Sequence, residues 1–232
     1  MNQGKREIVL RTSVIMNVLL ALIVIALVLN KMGILTRTVV SEYSYLSNPQ
    51  YEAYETMFEL NDSQTDVIFV GDSITARGSF DEFFPGTRVL NRGIGSDITE
   101  GVFNRMEEVM SHNPQKIFIM VGINDIGKEI PLETSMDYYK QIILMIKNQN
   151  NDCEIYAESV LPASTIDLGK IEQFNNALKV LCDEESVNYV DLYNLFLFDG
   201  KPDMNLISDD GVHLNGYGYS TWISAIKDFV NP

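Results

Sequence analysis

The chain has 232 residues, enough for one or two domains, and its 46% apolar share is ordinary for a globular core. Its formal net charge is −15, and removing residues 1–30 takes away three bases (Lys5, Arg6, Arg11) and one acid (Glu7), which leaves −17 for the remainder. That balance argues against nucleic acid or an anionic membrane surface as a partner, because both require a basic face.

The 19 residues between Arg11 and Lys31 carry no charge. As a helix they would be ~28 Å long at ~1.5 Å per residue, close to the ~30 Å hydrocarbon core of a bilayer. The stretch Leu29-Asn-Lys-Met-Gly-Ile-Leu35 offers no small-x-small cleavage site, and no cysteine nearby could carry a lipid. The expectation is an uncleaved transmembrane anchor over 12–30, with residues 1–11 as a cytoplasmic tail. Basic residues before the run favour the N-terminus inside, so the rest of the chain is expected outside the cytoplasm. Residues 31–48 read as a stalk, and 49–232 as one catalytic domain.

Pro49 opens a helical period running from Gln50 to Leu60. A short β-branched and aromatic run, Val67 to Val70, then ends at Gly71-Asp72-Ser73, which predicts a buried strand closing in a sharp turn. Further strands are predicted at 87–91, 116–121, 153–160 and 187–192. Helices are predicted at 99–110, 132–147, 169–184 and 216–229. Strands and helices alternating at this spacing imply βαβ units, a parallel sheet and right-handed crossovers. Cys153 and Cys182 have no metal-like spacing. They read as two buried thiols, with pairing left open.

Four polar sites follow strands and therefore gather at one sheet edge, where ligands of open α/β sheets bind. Ser73 follows the first strand, and the Gly95-Ser96 turn follows the second. Asn124 follows the third, and His213 comes after the last strand, three residues beyond Asp210. A serine hydrolase needs a nucleophile, a base, a group to orient the base, and donors for the developing oxyanion. Asp210 can fold back onto the His213 ring in one turn. The Asn124 amide and a backbone N–H from the Gly95-Ser96 turn are candidate oxyanion donors. His112, in Ser-His-Asn-Pro, reads as a solvated loop residue.

The blocks Gly71-Asp-Ser73, Asn91-Arg-Gly-Ile-Gly-Ser-Asp97, Gly122-Ile-Asn-Asp125 and Asp210-Gly-Val-His213 resemble, in order and spacing, those of the GDSL/SGNH hydrolases. The likeness is nearest to the small esterases similar to platelet-activating-factor acetylhydrolase, and it covers nearly all of 60–230. It implies a three-layer, flavodoxin-like α/β fold on a five-stranded parallel sheet. It also implies Ser73 as nucleophile, His213 as base, Asp210 as orienter, and no cofactor or metal. The implied oxyanion donors are the Ser73 N–H, the Asn124 side chain and a backbone N–H of the second block. Where this family usually has glycine before the Asp of that block, this chain has Ser96, so either Ser96 or Gly95 supplies the N–H. Asp72, Asp97 and Asp125 are expected to brace the turns. The expected activity is removal of acyl groups, acetyl foremost, from a cell-surface or extracellular carbohydrate or a small acyl ester. The rival expectations are O-acyl transfer by the same triad, a lysophospholipase or thioesterase, and a non-enzymatic carbohydrate-binding ectodomain.

Overall fold

Parallel strands buried on both faces need apolar side chains on both, and β1 (Val67–Gly71) and β3 (Lys116–Met120) supply them. The structure is a computed structural model that describes residues 16–17 and 43–231. Because side chains alternate along a strand, Ile68, Val70, Ile117 and Ile119 join one core. Val67, Phe69, Phe118 and Met120 join the other. With β2 (Val89–Gly93), β4 (Glu154–Glu158) and β5 (Asn188–Val190), these strands form one five-stranded sheet in the order β2-β1-β3-β4-β5. Every pairing is parallel.

The helices divide between the two faces. α1 is Tyr51–Glu59, and the short helices α2 (Ser73–Ala76) and α3 (Phe80–Phe83) follow β1. The others are α4 (Thr99–Asn104), α5 (Met106–Ser111), α6 (Ile123–Gly127), α7 (Leu132–Gln149), α8 (Leu168–Glu185) and α9 (Gly216–Val230). α4 to α8 cover the first core, with Val102, Met106, Tyr139, Ile142, Phe174 and Leu178 inside it. Phe80 of α3 and Trp222, Ile226 and Val230 of α9 close the second. Phe69 stacks on Phe80 at a centroid distance of 3.8 Å, and the Trp222 ring meets Phe80 edge-on at 5.1 Å. Each such ring, taken fully out of water, contributes about 2–3 kcal/mol. The three-layer α/β expectation therefore holds for this domain.

After β1 the chain moves to β2 on one side and then to β3 on the other, so the order reverses beside β1. In sheets of this kind that reversal opens a crevice at the carboxyl ends. Ser73 follows β1, and Asn124 follows β3, so both stand at its mouth.

Several expectations change. The helix predicted over 99–110 is two helices, because Arg105 leaves helical geometry at φ −107° and ψ 8°. Its guanidinium is drawn inward instead. Nε donates to Asp97 Oδ2 at 3.0 Å, Nη1 to the Arg92 carbonyl at 2.7 Å and Nη2 to the Gly71 carbonyl at 3.1 Å. His112 is not a solvated loop residue. It is fully buried, with Nδ1 2.7 Å from the Ser63 carbonyl and Nε2 2.8 Å from both Glu108 and Arg92. The polar loop after β5 contains a 3-10 turn, Tyr193–Phe196, and a small antiparallel pair, β6 (Leu197–Phe198) with β7 (Lys201–Pro202). Cys153 and Cys182 are buried free thiols. Residues 43–48, assigned to the stalk from sequence, lie against the domain, with Tyr45 packed on Tyr51 and Asn48 bonded to Gly95.

Among the described residues no helix is long and apolar enough to cross a membrane. The anchor expected over 12–30 lies outside the described residues, except for Met16 and Asn17.

At the end of β4, Glu158 is buried and accepts from the Trp222 indole N–H at 2.7 Å. Burial pushes its carboxyl up to about 8, against an ordinary value of 4.5. The folded protein thus holds a proton there that the unfolded chain gives up. Between those two values the native state binds more protons, and stability falls as pH rises. Glu158→Gln keeps an acceptor for Trp222 and removes this titration. Thermal midpoints followed from pH 4.5 to 8 are expected to fall less steeply in the variant. Part of the slope will remain, because burial also raises Asp72, to about 7. Equal slopes in both proteins would show that Glu158 is not the group responsible.

Candidate active site

The turn after β1 is made by three residues that each have a local reason to be there. A Cβ on Gly71 would stand 2.2 Å from the Met120 carbonyl oxygen, so only glycine lets β1 and β3 close here. Asp72 caps α2 by accepting the Ile74 N–H at 2.9 Å. Ser73 is then the first helical residue, half exposed at the crevice. Asn91 of β2 holds this turn from beside. Its Nδ2 donates to the Thr75 and Gly78 carbonyls at 2.8 Å each, and its Oδ1 accepts the Gly93 N–H.

The histidine arrives from the far end of the sequence. Asp210 Oδ1 accepts the N–H groups of Val212 and His213 at 3.0 and 2.9 Å, closing the turn Asp210-Gly-Val-His213. Gly211 has φ 76°, and a Cβ there would meet Ser164 Oγ at 2.1 Å. The other carboxylate oxygen lies 2.7 Å from His213 Nδ1, and His213 Nε2 lies 2.8 Å from Ser73 Oγ. Backbone donation from His213 and Val212, with the imidazole bond added, holds the Asp210 carboxyl well below the usual carboxylate range. It remains a carboxylate throughout neutral pH. A hydroxyl bonded to an imidazole whose other nitrogen faces a fixed carboxylate can surrender its proton as it attacks an electrophile.

The candidate oxyanion donors border the same space. Ser96 stands at φ 62°, in the left-handed region that glycine occupies at little cost. Asn124 donates through Nδ2 to the Asp97 carbonyl at 2.9 Å, which fixes its amide and leaves a second N–H. No described residue accepts from the amide N–H of Ser73 or Ser96. Two lobes meet at Ser73, Ser96 and His213. One, of about 370 Å³, is walled by Asn124, Lys128, Ile123, Ile166 and Val212. The other, of about 320 Å³, is walled by Gln50, Tyr54, Arg77 and Gly95. The structure thus brings together Ser73, Asp210, His213, Ser96, Gly95 and Asn124.

Beneath the cleft lie three buried aspartates that brace its turns. Asp125 accepts from the Thr99 N–H and hydroxyl and from the Ser135 hydroxyl. Burial pushes its carboxyl up to about 6. Asp97 accepts the Ile98 N–H and pairs with Arg105. Burial raises Asp97, while the guanidinium and the N–H pull it back. Asn48, Asn91, Arg105 and Lys128 were not singled out from sequence. The first three act through partners 13 to 47 positions away and Lys128 walls the cleft, and no local period carries that information.

The model of the GDSL-like lipase/acylhydrolase family matches residues 69–220. No curated protein matches the chain. Among solved structures, a Streptococcus pneumonia protein provisionally described as a platelet activating factor is 24% identical, with a TM-score of 0.71 over 80% of this chain and 94% of that one. A GDSL-like lipase from Bacteroides thetaiotaomicron is 22% identical, with a TM-score of 0.67 over 78% and 96%. A mutant of an acetyl-xylooligosaccharide esterase from Geobacillus Stearmophilus is 20% identical, with a TM-score of 0.59 over 73% and 95%. At these identities the likeness is one of fold, and the family rests on the match over 69–220. The chain belongs to the GDSL-like lipase/acylhydrolase family, a family of serine ester hydrolases.

Proposed function

We propose that this protein is a serine esterase that removes acyl groups, acetyl foremost, from a cell-surface or extracellular carbohydrate. The observation that carries the proposal is the continuous relay from Asp210 through His213 to Ser73, at 2.7 and 2.8 Å. Ser73 Oγ attacks the ester carbonyl while His213 Nε2 takes its proton. The oxyanion that forms faces the N–H groups of Ser73 and Ser96 and the Asn124 amide. His213 then gives the proton to the departing alcohol oxygen, leaving an acyl-serine. A water deprotonated by His213 attacks that ester, and the acid leaves as Ser73 regains its proton. Asp210 orients the imidazole and stabilises its charged form.

The carbohydrate half of the proposal is supported by the difference between the two lobes. Gln50, Tyr54 and Arg77 present an amide, a phenol and a guanidinium to the smaller lobe, groups that suit sugar hydroxyls. Apolar Ile123, Ile166 and Val212 suit a short acyl chain in the larger one. The fold is also that of an acetyl-xylooligosaccharide esterase. The extracytoplasmic location rests on the uncharged run at 12–30 and its basic flank.

Full-length protein is expected to release nitrophenol from nitrophenyl acetate faster than from longer acyl esters, and free acetate from acetylated xylo-oligosaccharides. Ser73→Ala should bring both to background, and its retention of turnover would refute the nucleophile assignment. Asp210→Asn keeps acceptors for the backbone N–H groups but turns an NH₂ toward His213 Nδ1. It is expected to lower kcat about 10³-fold or more with little change in KM. Tyr54→Phe should raise KM for the oligosaccharide and leave that for nitrophenyl acetate unchanged. Equal effects on both substrates would argue against a sugar-binding lobe.

A further inference from the structure

Residues 43–60 precede the family match at 69–220, yet they reach the cleft. Asn48 ties them to the Gly95–Ser96 turn at its edge. The residue is 5% exposed, with Oδ1 accepting the Gln50 N–H at 3.1 Å and Nδ2 donating to the Gly95 carbonyl at 2.7 Å. The Gly95 carbonyl and the Ser96 N–H belong to one peptide group. There is no cis peptide bond among the described residues, so within that rigid plane the two point in opposite directions. Holding the carbonyl therefore aims the N–H.

This aim needs an external hold. Ser96 is a left-handed residue with a Cβ, a conformation disfavoured against the ordinary wells because the Cβ crowds the following carbonyl oxygen. Left to local preference, the 95–96 peptide would rotate. Asn124 fixes the following stretch at the Asp97 carbonyl, two residues further on, and Asn48 fixes the carbonyl before Ser96. Hydrogen bonding at a peptide oxygen also polarises the group and strengthens its N–H as a donor.

We propose that Asn48 is a positioning residue for ester hydrolysis, acting through the Gly95–Ser96 peptide to point the Ser96 N–H at the oxyanion. The proposal rests on the esterase reading above, with Ser96 supplying that N–H. Since the N–H meets its charge only in the transition state, losing its orientation lowers kcat and leaves substrate binding alone.

The test compares two ties of the same segment in the full-length protein. Asn48→Asp is nearly isosteric and keeps an acceptor for the Gln50 N–H, but cannot donate to Gly95 as a carboxylate. Asn48→Ala removes both bonds. Tyr51→Phe removes the buried hydroxyl that donates to the Gly101 carbonyl at 2.8 Å, loosening the segment without touching the 95–96 peptide. Turnover of nitrophenyl acetate, thermal midpoint and the rate of Ser73 labelling by a fluorophosphonate are measured for each. kcat is expressed per labelled site, so that unfolded molecules do not count.

Both Asn48 variants are expected to lose about tenfold or more in kcat, less than the roughly 10²–10³-fold of deleting an oxyanion donor outright. KM should stay within about twofold and labelling should slow in step. Tyr51→Phe should keep its kcat whatever its midpoint. The proposal is overturned if Tyr51→Phe loses as much kcat as the Asn48 variants. It is equally overturned if the Asn48 variants change only stability or KM. A wild-type protein that neither hydrolyses the ester nor labels at Ser73 overturns the esterase reading, and with it this inference.

Discussion

Arg105 donates to three separate stretches of chain at once: the Gly71 carbonyl at the end of β1, the Arg92 carbonyl near the end of β2, and the Asp97 carboxylate in the loop beyond. Its side chain is almost wholly buried and so is that of Asp97. A buried charge of this kind is tolerated only when paired and when its remaining hydrogens find acceptors. A planar fork does this where an ammonium could not, because its donors leave in fixed divergent directions. The consequence is geometric. The turn that presents Ser73 and the turn that presents Ser96 hang from adjacent strands, and one rigid group sets their separation. The Ile94 N–H, at 3.0 Å from the same Gly71 oxygen, makes a second tie between them.

The same side chain explains where local reasoning succeeds and fails. Continuous apolar runs such as Ile117 to Met120 announce two-faced burial, so the strands and the layer arrangement are legible in the sequence. The amphipathic period over 99–110 is equally clear, yet the helix breaks at Arg105, since the period reports only which face is apolar. It does not report that one residue of the polar face must turn inward to reach carbonyls 13 and 34 positions back. His112 fails for the same reason. Its Ser-His-Asn-Pro surroundings look like loop, and its burial depends on Arg92, Glu108 and Ser63 closing over it.

The site is legible to a different depth. Asp210 and His213 sit three residues apart, so one turn can join them, and the sequence alone is enough to suspect it. Placing that pair against Ser73, 140 positions away, needs the topology, and the parallel sheet supplies it by ending β1 and β3 at one edge. Ser96 is harder still. Where glycine would fold unaided, a serine held at φ 62° requires neighbours that hold it, and Asn48 and Asn124 grip the carbonyls on either side.

The Ser73–His213–Asp210 relay and the whole wall of the larger lobe come from residues 69–220, whereas the smaller lobe is walled in part by Gln50 and Tyr54, which precede that stretch. Everything from Ser73 to His213 lies inside the stretch matched by the family, and under the proposed esterase function it would supply the nucleophile, the base and the place for negative charge. On that proposal none of these groups distinguishes one alcohol from another, because the relay would meet only the ester carbonyl and the oxygen that leaves. On the polar side the smaller lobe is walled by Gln50 and Tyr54, carried by the entry into α1 and by α1 itself, together with Arg77. The same segment walls that lobe and reaches the Gly95–Ser96 turn through Asn48, so under the proposed function it would bear on substrate preference and turnover together. Changes in this short N-terminal stretch would then retune the proposed activity while the four motif blocks stay as they are.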